Sequence, residues 1–392
     1  MISIDQARQL ITDLVAPRPA ARVPLFAANG RALTQPLLAD AFYPSADRAM
    51  MDGYVVRADA TPGDFRIIGE IPAGAVPSAK LEPGEAMRIF TGALLPENGG
   101  RVVMQEDTQR DGDQVTIRQF SERLHIRRKG LEASPGDTLL SVGTRLTAAE
   151  LAMLAQVGAV QPEVIPAPTV LHFATGNELV APGESPAPGQ IRDTNSTLIA
   201  AQMAELGVAD FHSHRVGDDV ESLVALGRQA CDLLLISGGA SVGDYDFGAL
   251  ALKRLGFTIH FDRVNLRPGK PLTFATRGAQ AAFVIPGNPV SHFVCFHIAV
   301  RLAVERLAGL TPHWPTAWLP LHGGESLQPE DRETFWPARA AFHENQLVVT
   351  PQRWSTSGDT FSLAGTNALA RVNASSPREG RVETLLLDTP GC

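Results

Sequence analysis

Three kinds of residue in the second half of the chain could act together on a phosphate ester. Carboxylates stand at Glu178, Asp218, Asp244 and Asp246, and cations at Arg263, Arg267 and Lys270. Among them runs a stretch of small residues, Ser237-Gly238-Gly239-Ala240-Ser241-Val242-Gly243. Glycines let backbone N–H groups come close to a phosphate, and small hydroxyls add donors. Acids directly after such a loop repel phosphate unless a cation lies between them, and oxygen-only ligands suit a hard divalent ion. The combination points to a phosphate ester bound with a metal, and to metal-assisted attack at a phosphoanhydride or transfer of a bound group. Asn288 and Ser291, at the start of a long helical pattern, offer a further anion site. Plainer readings exist for each part: a tight turn with a solvated acidic cap, Glu178 as a helix N-terminal acid, Lys270 in a surface turn. No Ser-His-Asp order and no HExxH motif is present, and no side chain is an obvious covalent nucleophile. His172 sits inside an apolar run and reads as a core residue, and His292 and His297 fall in a long helix.

These residues need a scaffold that brings distant loops together. From Thr169 the pattern alternates strand and helix. Apolar runs at 170–174, 233–236 and 281–285 are separated by amphipathic stretches with Ile199, Met203 and Leu206, or Val220, Leu223 and Val224, on one side. Alternating β and α elements imply an α/β domain with a mainly parallel sheet. Ligands of such sheets bind where the strand ends open into a crevice. Four polar loops meet that description: Thr175 to Glu178, Ser237 to Asp246, Arg267 to Lys270, and Pro286 to Ser291. One such loop means little, whereas four in one domain favour a ligand site over surface turns.

The remaining segments serve that domain or form their own. Residues 3–16 read as an amphipathic helix, with Ser3 and Gln6 at capping-box spacing and Ile4, Ala7, Leu10, Ile11 and Leu14 on one face. Too short to be stable alone, it must pack on something later in the chain. Residues 41–137 carry short β-like runs between Gly and Pro turns and read as a small β domain. Asp52 lies at the lip of one strand there, and Thr91 follows another. Arg123, His125, Arg127, Arg128 and Lys129 alternate partly, as a solvated strand face or an anion-facing one does. After Pro312 short strands return as a further small β domain.

Composition narrows the classes. With 392 residues, about two to four domains are expected. A net charge of -8 argues against a general nucleic-acid binder. The three cysteines are far apart with no CxxC, which fits reduced thiols and a cytoplasmic location. No signal-peptide pattern opens the chain, and no apolar stretch reaches about 18 residues.

In order along the chain stand MDGYVVR at 51–57, PGEAMRIFTGA at 83–93, TGNEL at 175–179, DTN at 193–195, SGGASVGDYD at 237–246, RPGKP at 267–271 and PGNPVS at 286–291. This set resembles the MoeA family of molybdopterin molybdenumtransferases, whose eukaryotic relative is the gephyrin E domain, over nearly the whole chain. The resemblance implies insertion of molybdate into adenylylated molybdopterin with release of AMP, assisted by Mg2+. It implies an elongated homodimer of α/β plus β, multidomain subunits: a MogA-like α/β domain at 1–20 and 166–311, an α+β linker domain at 21–40 and 138–165, and β domains at 41–137 and 312–392. In that family the cleft lies between the α/β domain and the small β domain of the other subunit, which sets Asp52 and Thr91 opposite Glu178 and Asp246.

The implied catalytic residues are Asp52, Glu178, Asp246 and Lys270. Glu178, Asp246 and either Asp218 or Asp219 would hold the metal. Thr91, Gly238, Gly239, Ser241, Arg263, Arg267, Asn288 and Ser291 would bind substrate. Implied partners are molybdate, a MogA-like adenylylating protein and recipient molybdoenzymes, with no nucleic acid and no membrane. Three positions depart from the family pattern. Gly130-Leu131-Glu132 replaces Gly-Glu-Asp, Asn177 replaces an acid, and Asn367-Ala368-Leu369 lacks the usual glycine. These departures raise the alternative of a non-catalytic molybdopterin carrier or a paralogue with altered metal or substrate. A CinA-type nucleotide hydrolase accounts for the α/β domain alone and leaves residues 41–137 without a place.

Overall fold

A computed structural model of the chain describes residues 1–239, 247–312, 314–323, 331–372 and 380–387. The chain packs as two compact units, one of Met1–Thr34, Val142–Leu151 and Gln161–Cys392, the other of Gln35–Ser141 and Ala152–Val160.

The first unit is built on a six-stranded sheet in the order Phe211–Val216, Val170–Thr175, Leu233–Ser237, Gln280–Ile285, Thr273–Arg277, Thr258–Phe261. The first four strands are parallel; Thr273–Arg277 runs antiparallel to them, and Thr258–Phe261 pairs antiparallel with Thr273–Arg277. Val170–Thr175 and Leu233–Ser237 are buried along their whole length, as strands covered on both faces must be. One face packs Leu171, Phe173, Leu234 and Ile236 against Ala251, Leu252 and Leu223 from helices Phe247–Arg254 and Val220–Leu226. The other packs Val170, Leu233 and Phe283 against the long helical segment 289–307.

The N-terminal helix, Ile4–Leu14, joins that second face, and its Ser3–Gln6 capping box forms as its spacing predicts. Ile4, Ala7 and Ile11 enter the core, while Leu14 turns 40% exposed to solvent, off the stripe expected for it. The helix meets the 289–307 segment where it widens into a π-helical turn, Phe296–Val300. Such a turn disturbs the i→i−4 ladder. Arg8 Nη1 donates to the Ile298 carbonyl at 2.7 Å, and its guanidinium lies 3.6 Å from the centre of the Trp314 ring. Burial lowers the Arg8 pKa to about 10, so the group stays charged at neutral pH.

The C-terminal strands form a second sheet in this unit, in the order Leu266–Arg267, Glu333–His343, Ala368–Val372, Arg381–Leu386, Thr316–Pro320. Leu266–Arg267 comes from the α/β region and pairs in parallel with Glu333 and Thr334. Phe335, Leu369 and Leu385 share a core with the 289–307 segment. The basic turn after Arg267 is therefore anchored between the two sheets.

The second unit holds a six-stranded sheet in the order Gly99–Met104, Gly53–Arg57, Glu85–Ile89, Gly63–Ile71, Gln114–Ile117, Thr108–Asp111. The basic run 123–129 forms little strand: only Ile126–Arg127 pairs, against Arg48–Ala49, and His125 has a positive φ of 53°. Two of its charges are paired locally, Arg127 with Glu132 and Arg128 with Asp47. No helix among the described residues is long and apolar enough to cross a membrane.

Candidate functional site

The parallel strands place their C-terminal ends, Thr175, Val216, Ser237 and Ile285, along one edge of the α/β sheet. Thr273 pairs with Val284, so the antiparallel strand Thr273–Arg277 begins at that same edge. The Arg267–Lys270 turn before it thus joins the loops after Thr175, Ser237 and Ile285. The chain leaves Val170–Thr175 to one side, for Phe211–Val216, and returns on the other, for Leu233–Ser237. Loops at such a reversal diverge and leave a crevice between them.

A cleft of about 2090 Å³ opens at this edge, lined by Glu178, Asp218, Gly238, Gly239, Arg267 and Lys270 together with Asn288 and Ser291. Pockets for small ligands hold roughly 300–1,000 Å³, so the cleft suits an extended substrate. All of these residues belong to the first unit.

Two close approaches shape the floor. Gly238 has φ +94°, and a Cβ on it would lie 2.7 Å from both the carbonyl oxygen and the hydroxyl of Thr175. A Cβ on Gly287 would lie 3.4 Å from the Gly238 Cα, so three strand ends meet within contact distance. Only glycine allows the loop to drop this low between its neighbours.

The acids divide by role. Asp219 is the N-cap of Val220–Leu226 and accepts from the amides of Glu221 and Ser222 at 3.2 and 3.0 Å. The Ser222 hydroxyl, and then these two amides, hold its carboxyl below the usual range. Asp218 lines the cleft instead, and its amide donates to Asn177 Oδ1 at 3.2 Å. Of the adjacent pair, Asp218 is the one that lines the cleft. Asn177 ties the Glu178 loop to the Asp218 loop as a neutral acceptor, a task that needs no charge. The Glu178 carboxylate folds back over Gly176, where a Cβ would lie 2.6 Å from Oε1.

The remaining site residues fall as follows. Asn288 spends its amide on Ser357, donating to Oγ at 2.8 Å, and so pins the 355–359 loop to the helix start. Ser291 is buried beside it. Arg263 is exposed and is absent from the cleft lining. Asp246 and Ser241, with Asp244, lie outside the described residues. Asp52 and Thr91 are in the second unit, where Asp52 Oδ1 accepts from the Thr91 amide at 2.8 Å and hydroxyl at 2.7 Å. Those two bonds lower its pKa. Sequence reasoning missed Arg332 and Arg353, which line the cleft from the C-terminal sheet. Nothing in their local sequence marks them.

Chemically, the cleft gathers two acidic residues and a group of cationic ones in its lining, over a floor of close-packed backbone. Such a surface can hold a phosphorylated ligand and a hard cation side by side.

Three family models match the chain: the MoeA N-terminal region (domain I and II) at residues 2–158, a probable molybdopterin binding domain at 172–306, and the MoeA C-terminal region (domain IV) at 326–382. A molybdopterin molybdenumtransferase of a Nostoc species is 35% identical over 368 residues, 89% of this chain and 84% of that protein. Its Bacillus subtilis counterpart is 34% identical over 354 residues, covering 86% and 82%. Among solved structures, a molybdopterin biosynthesis MoeA protein from Pyrococcus horikoshii superposes with a TM-score of 0.81 at 28% identity, covering 99% of this chain and 100% of that one.

Proposed function

The chain belongs to the MoeA family, and from that membership we propose that it is a molybdopterin molybdenumtransferase, inserting molybdate into adenylylated molybdopterin and releasing AMP. The observation that carries the reading is the cleft at the strand ends, where Glu178 and Asp218 line the same space as Arg267 and Lys270. The named relatives are transferases, and the match runs the length of the chain, which favours turnover over a passive carrier.

In this reading Gly238 and Gly239 bring backbone amides against the phosphates. Lys270 and Arg267, with Arg332 and Arg353 in the same lining, meet the negative charge of the phosphoanhydride and of molybdate. Ordering these charges before the substrate arrives is how a site stabilises charge that builds up as a phosphoanhydride breaks.

Magnesium fits the donor set. Among the described residues no three His, Cys, Asp or Glu side chains come together as a metal-holding group. Magnesium asks for less: one or two carboxylates plus substrate phosphates and water. Glu178 and Asp218 would supply the carboxylates; Asp246, the further acid that the resemblance implies, lies outside the described residues. The bound ion would offset phosphate charge.

The family's homodimer completes the proposal. It gives Asp52 and Thr91 a role, facing the cleft of a partner subunit. The test is purified protein with adenylylated molybdopterin, molybdate and Mg2+. Stoichiometric AMP and active cofactor support the reading, and their absence under conditions where a known relative turns over rejects it.

A further inference from the structure

Beneath the cleft floor lies a polar chain that the reaction as described does not use, buried at His172, Ser237 and His292 and reaching the surface at Ser213. His172 and His292 are both fully buried, and Ser237 is 2% exposed between them. Ser237 Oγ is 2.7 Å from Nε2 of each imidazole. On its far side His172 Nδ1 lies 2.8 Å from Ser213 Oγ. Ser213 Oγ is 3.4 Å from Ser196 Oγ, which donates to the buried carboxylate of Asp193 at 2.6 Å.

The direction of this chain can be worked out. A neutral imidazole carries one N–H, and a hydroxyl has one proton to give. Asp193 accepts only, so Ser196 donates to it and is free to accept from Ser213. Ser213 then accepts from His172 Nδ1–H, which leaves His172 Nε2 to accept from Ser237. Ser237 in turn accepts from His292 Nε2–H. The reverse direction would leave a proton on His292 Nδ1, which is buried with no partner among the described residues. An orphaned N–H in the interior is rarer than an orphaned lone pair. The buried His292 end therefore selects this order, and the exposed Ser213 end is compatible with it.

Each link belongs to a segment that borders the cleft. His172 is in the strand leading to Glu178, and Ser237 immediately precedes Gly238. Asp193 and Ser196 begin the helix Asn195–Glu205, and His292 is in the helix that follows Asn288. We propose that His172, Ser237 and His292 act as one positioning unit, with complementary fixed tautomers, that sets how far the Gly238–Gly239 turn stands from the 288–291 segment. Burial, with a smaller repulsion from His214 on His172 and from His172 on His292, outweighs the pull of the Asp193 carboxylate on His292 and holds both imidazoles neutral, with pKa values lowered to about 3. The unit supplies rigidity and not a proton. Its link to turnover rests on the function proposed above, whereas its hydrogen-bond order does not.

The test has two arms on the full-length protein. Histidine labelled with 15N, assigned by single substitutions, should show His172 protonated at Nδ1 and His292 at Nε2, unchanged from pH 5 to pH 8. The second arm measures AMP release from adenylylated molybdopterin. Ser237→Ala and His292→Leu should raise KM about tenfold or more with kcat within about threefold, and His292→Gln, which keeps a donor near Nε2, should recover most of the loss. Thermal unfolding of each variant confirms a folded protein. The same tautomer in both residues, ordinary titration near neutral pH, or unchanged KM in folded Ser237→Ala would overturn the proposal. Wild-type protein that releases no AMP refutes the function reading, and the tautomers then decide the network alone.

Discussion

Replacing Gly238 by alanine perturbs the floor of the cleft with one carbon atom, and the geometry gives the size of the effect. The residue has φ +94°, a region that costs an L-residue about 1–2 kcal/mol. The new Cβ would also lie 2.7 Å from the Thr175 carbonyl oxygen, a backbone atom inside a fully buried strand. Forcing extra atoms into a packed site costs a further ~1–3 kcal/mol, and relief here requires the loop to lift. Gly239 provides the control. Its φ is +63°, so it bears a similar backbone cost, yet its nearest neighbours lie at 3.4 Å, ordinary contact. The two alanine variants should thus differ by the steric part alone. Since tenfold corresponds to about 1.4 kcal/mol, kcat/KM for AMP release should fall about 5-fold to 100-fold further in Gly238→Ala than in Gly239→Ala. Gly238→Ala should also melt lower. Equal kinetics and equal melting in the two variants would refute the claim that the close approach to Thr175 sets the loop height.

Three other outcomes are expected. Asp219→Ala should lower helix-capped stability by about 0.5–2 kcal/mol in denaturant titrations while leaving most activity. Asp218→Ala should do the reverse, abolishing AMP release with little change in stability. Asp52 should titrate below the ordinary carboxylate value of about 3.9 by NMR, because the Thr91 amide and hydroxyl favour its ionised form. Its contribution to stability is present above that value and lost as pH falls through the depressed one; Thr91→Val, which removes the hydroxyl donor only, should move the midpoint part of the way back up. In the proposed dimer, refolding inactive Asp52→Ala with inactive Glu178→Ala should restore about a quarter of wild-type activity, since half of randomly paired dimers carry one intact site. No recovery from a verified mixture would exclude a cleft shared between subunits.

The elements that carry the cleft were legible because their signals are local. The apolar runs ending in Thr175-Gly176, Ser237-Gly238 and Ile285-Pro286-Gly287 announce buried strands that stop abruptly, and the structure brings all of them to one edge. The Ser3–Gln6 cap was legible for the same reason. What stayed hidden depends on distance along the chain. His172 reads as an ordinary core residue, and its partner Ser237 lies 65 positions away, with His292 a further 55. Arg332 and Arg353 reach the cleft only because Leu266–Arg267 adds to the edge of the C-terminal sheet. Asp218 and Asp219 are chemically alike, and only the start of the following helix separates a cap from a cleft acid. The 123–129 run alternates as a strand does, but Asp47 and Glu132 draw two of its cations into local pairs instead.

A crystal structure of the full-length protein with AMP and Mg2+ is the most direct trial of the cleft as a shared phosphate and metal site. We expect the phosphate to rest between the Gly238–Gly239 turn and Lys270, with the ion bridging it to Glu178 and Asp218. A nucleotide bound elsewhere, or a phosphate in the cleft with Glu178 and Asp218 turned away from any cation, would contradict it.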